Sequence, residues 1–114
     1  MASPNSPVNQ NFIFDTELSL AATSFLVGVP VLVGTLTNNP VMILFKNQSD
    51  QIAFLADNNG TTKGTTMAVG EEIILDCRAN KGMAANGAFP IGTSFYVTAP
   101  VGTGNFKISV IYAR

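Results

Sequence analysis

Along most of the chain, apolar and polar residues alternate with a period of two, in short runs separated by Gly, Asn, Pro and Thr. In the last run, Phe106, Ile108, Val110 and Tyr112 fall on one side and Lys107, Ser109 and Ile111 on the other. That is the signature of a strand with one packed face. Phe12 and Phe14 flank Ile13, and Leu18 and Leu20 alternate with Glu17, Ser19 and Ala21. The stretch 17–27 has a helical alternative, but its Thr, Ser and Val content and its lack of a stop signal predict strand. Residues 24–33 are rich in Val, Leu and Phe, with a bend expected at Gly28 and Pro30.

Val41-Met-Ile-Leu-Phe45 is a continuous apolar run after Pro40, which predicts a strand buried on both faces. Asn47 to Asp50 reads as a turn returning into Ile52-Ala-Phe-Leu55. Asp57-Asn58-Asn59-Gly60 is a second turn, because Asn and Gly tolerate positive φ. A weak strand over 65–68, a turn at Val69-Gly70 and strands over 71–76, 94–98 and 106–112 complete the series, with a long surface loop over 78–90. About eight short strands with almost no helix predict an all-β chain, an antiparallel β-sandwich or jelly-roll-like barrel. Residues 1–11, Pro-rich and polar, form an expected flexible, extended N-terminal arm, and residues 12–114 a single β-sandwich domain.

Composition narrows the function. The 114 residues contain no His and no Trp. Histidine is the usual acid/base near neutral pH and the commonest metal ligand, so the expectation is a scaffold or interface, not an enzyme. Charged residues make up 11% of the chain against 46% hydrophobic. So little charge points to a surface partly covered by another subunit. Net charge is −1 and the six basic residues are scattered, which argues against nucleic acid as a partner. Cys77 is the single cysteine, so it cannot form an intrachain disulfide, and it is expected to be a small buried hydrophobe. The N-terminus lacks the pattern of a signal peptide, and Gly28, Pro30 and Gly34 interrupt the longest apolar stretch, so no membrane span is expected. The sequons at Asn47 and Asn59 read as chance.

Candidate chemistry is sparse. Glu71 and Glu72 are adjacent and would point to opposite faces of a strand, which rules out a cooperating dyad. Asp57-Asn58-Asn59-Gly60 lacks the alternating ligands of a calcium loop, and Gly102-Thr103-Gly104 lacks the Lys-Ser/Thr and helix of a phosphate loop. Tyr96 and Tyr112 are the only amphipathic aromatics, and the eight Phe are assigned to the core. No catalytic residue, cofactor, metal or small-molecule substrate is expected.

Residues 38–112 carry a layout of their own. Val41–Ser49 is followed by Ile52-Ala-Phe-Leu55 and a Gly/Thr-rich segment, Gly60–Thr66. Then come Met67-Ala-Val-Gly-Glu71, Ile73–Leu75, Gly92-Thr-Ser-Phe-Tyr-Val-Thr-Ala99 and the closing strand Phe106–Tyr112. This order resembles the small β-sandwich decoration (cement) and head-fibre proteins of tailed bacteriophages. Val69, where the pattern often has proline, and the long 78–90 loop depart from it. The resemblance implies a non-enzymatic virion protein, made in the host cytoplasm and often a homotrimer, that binds major capsid protein on the outer capsid surface. Pro7, Val8, Phe12 and Phe14 are the residues expected to contact capsid or a neighbouring subunit, with Arg78 and Lys81 reaching acidic patches. The alternative is a receptor- or glycan-binding module of a virion fibre or cell surface.

Overall fold

The computed structural model describes residues 11–58, 63–77 and 89–113. Nine strands are present among them: β1 (Phe12–Phe14), β2 (Leu18–Ala21), β3 (Val31–Thr35), β4 (Pro40–Ser49), β5 (Ala53–Asp57), β6 (Gly64–Met67), β7 (Glu72–Asp76), β8 (Ser94–Thr98) and β9 (Gly104–Ala113). A 3-10 turn, Ala22–Ser24, follows β2 where the sequence predicts continued strand. Its Ala22 carbonyl accepts from Phe25 N–H and turns the Phe25 ring, fully buried, into the core.

All pairings are antiparallel. Sheet I has the order β1–β9–β4–β7, with β2 beside β1 on the same edge of β9. Sheet II has the order β3–β8–β5–β6. From β2 onward the chain passes from one sheet to the other at every connection except that between β5 and β6, which are neighbours in sheet II, and this order is that of a jelly-roll β-sandwich. The expected fold class is therefore the one observed.

The inward faces follow the alternation. Ile43 and Phe45 of β4 and Phe106, Ile108 and Val110 of β9 meet Val33, Ala53, Leu55, Met67, Phe95 and Val97 of sheet II. The rings of Phe45 and Phe95 cross between the sheets edge to face, with centroids 5.2 Å apart. Cys77 joins this core, where burial pushes its thiol pKa up.

Two expectations are corrected. Val41–Phe45 is not buried on both faces: Ile43 and Phe45 are buried, but Met42 and Leu44 are only half-buried on the outer face of sheet I. Strand β4 also runs through the expected turn to Ser49, because Asn47 and Ser49 continue its inward face as buried polar residues. The turn after β5 falls as expected, with Asn58 at φ 51°.

Candidate docking surfaces

Strand β1 is three residues long and pairs with the end of β9, Ile111 opposite Phe14 and Ala113 opposite Phe12. Directly opposed residues share a face, so both Phe side chains lie on the outer face of sheet I. Phe12 is 54% exposed and Phe14 80%. This corrects the assignment of all phenylalanines to the core. Pro7, Val8, Arg78 and Lys81 lie outside the described residues.

The register extends the patch. Ile111 is opposite Met42, and Leu44 is opposite Ile74, itself 60% exposed. The outer face of sheet I thus carries an apolar path from Phe14 through Ile111, Met42 and Leu44 to Ile74, bordered by Ser109 opposite Leu44 and by exposed Asp76 opposite Met42. Towards the other end of the strands it becomes charged. Lys107 is opposite Lys46, which is opposite Glu72. Glu17 lies over this half, accepting from Lys46 Nζ at 3.1 Å and from Ser109 Oγ at 2.9 Å. The Lys46 ammonium holds the Glu17 carboxyl below its usual range. Such an exposed pair adds little stability but fixes where the apolar half ends.

A second apolar surface forms at one end of the sandwich. The four connections 22–30, 50–52, 68–71 and 99–103 gather there, and hydrogen bonds tie each to its neighbour. Gly102 N–H donates to Ala22 O, and Asp50 N–H to Thr103 O. Asp50 accepts in return from Thr103 N–H at 2.9 Å and from its hydroxyl at 3.0 Å, contacts that hold its pKa down. Buried Asn47 joins the remaining pair. Its amide Nδ2 donates to the carbonyls of Gln51, Met67 and Ala68 at 2.9 to 3.1 Å, while its Oδ1 accepts from Ser49 N–H and Oγ–H. Its backbone accepts from Gly70 N–H and donates to Glu71 O. Glu71 precedes β7 and caps Ala68 N–H with Oε1.

Each of these four loops presents aliphatic side chains to solvent. Leu26, Val27 and Val29 come from the first, and Ile52, Val69 and Val101 from the other three, all between 49% and 75% exposed. Gly28, at φ +71°, makes the bend that leaves Val27 and Val29 both outside. Sequence reading missed this surface and Asn47 alike. The signal for Asn47 was its place in the inward series Ile43, Phe45, Asn47. Its burial also leaves the sequon there inaccessible in the folded chain.

Between the sheets at their β6–β7 side lies a cavity of about 330 Å³, walled by Phe45, Leu55, Ile73, Leu75, Phe89 and Phe95, with Asp57 the only charged lining group among the described residues. Tyr96 and Tyr112 are both half-buried. Among the described residues no group of three His, Cys, Asp or Glu is placed to hold a metal ion. Comparison of the chain with protein-family models, with curated proteins and with solved structures found no match.

Proposed function

We propose that the chain is a non-enzymatic virion structural protein, a decoration or cement protein that binds the outer surface of a phage capsid and stabilises contacts between major capsid subunits. The observation that supports this reading is the pair Phe12 and Phe14, held in the open on a hydrogen-bonded edge strand and continuous with Ile111, Met42, Leu44 and Ile74. Covering the exposed part of Phe14 alone is worth on the order of 3 kcal/mol. A face of this kind gives modest affinity per copy, and many copies on a repeating lattice turn that into stable occupancy.

The test is co-sedimentation of the purified chain with empty capsids assembled from the major capsid protein of the same genome. Saturable binding at many copies per capsid is expected. Phe14→Asp should reduce occupancy more than tenfold at equal concentration, since an aspartate in a desolvated contact must be buried unpaired. Absence of binding by the folded wild-type chain, or unchanged binding by Phe14→Asp, overturns the reading.

A further inference from the structure

We propose that the four-loop end of the sandwich is a contact surface between copies of this chain. The surface is separate from the Phe12–Phe14 face: it is built from the loops after β2, β4, β6 and β8, whereas Phe12 and Phe14 lie beside the C-terminal end of β9. The inference relies on the assembly reading for its purpose, and its test is independent of that reading.

Three observations carry it. The first is area. Leu26, Val27, Val29, Ile52, Val69 and Val101 together leave on the order of 500 Å² of aliphatic surface uncovered, at the upper end of what a monomer tolerates. Two such ends meeting would bury about 1,000 Å² in total, the threshold of a specific interface.

The second is rigidity. Exposed aliphatics on mobile loops lose most of their contact energy to ordering, whereas these loops are already fixed to one another. Gly102 N–H to Ala22 O, Asp50 to Thr103 and Asn47 to the Met67 and Ala68 carbonyls join all four in one hydrogen-bonded set. The loop after β8 also sits so close that a Cβ on Gly102 would strike Asp50 Oδ1.

The third is charge, and it selects the partner. The four loops contain no Lys, Arg, Trp or Tyr, the residues that anchor proteins at a lipid surface. Their two acids stay exposed but are engaged within the loops: Asp50 uses both carboxylate oxygens on Thr103, and Glu71 caps Ala68. What faces outward is the aliphatic set, bordered by these two hydrogen-bonded carboxylates and by the hydroxyls of Thr23, Ser24 and Thr103, with no cation among the loops. Its complement is a surface of the same kind, and the nearest such surface is a second copy, packed end to end by a two-fold or around a closed ring.

The experiment is light scattering and sedimentation of the full chain as a function of concentration. The wild type is expected to reach a multiple of the single-chain mass. Val27→Asp and Ile52→Asp should each weaken self-association more than tenfold. Both positions are exposed, so circular dichroism and the melting temperature of the dilute variants should match the dilute wild type. Phe14→Asp, on the other face, should associate as the wild type does while losing capsid binding, which separates failure here from failure of the proposed function. A wild type that stays monomeric to about 100 µM overturns the inference, as does association that survives both loop variants. Binding of a monomeric wild type to phosphatidylcholine vesicles, lost in Val27→Asp, overturns it in favour of a lipid contact.

Discussion

Replacing Asn47 with Asp changes one side-chain atom and removes both hydrogens that Nδ2 gives to the carbonyls of Gln51, Met67 and Ala68. The site is fully buried. An ionised carboxylate there would face three carbonyl oxygens at hydrogen-bonding range with no cation near, so the group takes up a proton instead. Holding a proton at pH 7 on a group whose unfolded pKa is about 3.9 costs about 4 kcal/mol, from 1.36 kcal/mol per pH unit. The loss of one of two donors adds about 1 kcal/mol at any pH. The variant should therefore be about 5 kcal/mol less stable than wild type at pH 7, but only about 1 to 2 kcal/mol less stable near pH 4.

The sign follows from linkage. A carboxyl whose folded pKa is raised binds more protons folded than unfolded, so stability falls as pH rises through the unfolded value. The wild type should run the other way. Asp15, held by Asn38 Nδ2–H, Glu17, held by Lys46, and Asp50, held by Thr103, all have lowered pKa values, so their contributions are present above the carboxylate range and fade as pH falls. Urea unfolding of both proteins at pH 4, 5.5 and 7 measures the difference directly. A gap below 1 kcal/mol at pH 7, or one that stays flat with pH, would refute the hydrogen-bond role assigned to the Asn47 amide.

Two further outcomes follow from close packing. Gly104 opens β9 at φ +88°, and a Cβ there would strike the Gln48 carbonyl, so Gly104→Ala should lower stability by about 3 kcal/mol. Thermal unfolding should show the drop, and a melting temperature within 3 °C of wild type would contradict the packing described. Cys77 is buried with a raised thiol pKa, so iodoacetamide should label it slowly in the native chain and rapidly in urea; equal rates would place the thiol at the surface.

What the sequence makes legible, and what it hides, divides along physical lines. The alternation in 106–112 names Phe106, Ile108 and Val110 as inward, and all three are buried, because period two is a local property of extended backbone. The turn residue Asn58 is equally local. Asn47 was misread because Asn-Gln-Ser has turn composition, and only the partners it reaches across space make it a buried tie. The loop-end surface is hidden more deeply. Val27, Ile52, Val69 and Val101 are scattered along the chain, and no periodicity links them until the order of the strands does. Phe12 and Phe14 carry a pattern shared by core and contact residues, and only the register of β1 at an outer edge separates the two.

The position of β9 has a consequence in time. This last strand is the centre of sheet I, flanked by β1 and β2 on one side and β4 on the other, and it pairs Ile108 with Leu18 across almost the whole length of the chain. During synthesis, β1, β2 and β4 therefore emerge with their shared neighbour still unmade. Sheet I cannot close until the ribosome has delivered residues 104–113, and such non-local pairing is slow. A nascent chain of this kind exposes the apolar strands of sheet I until residues 104–113 are made, the interval in which a chaperone or a premature neighbour meets it first.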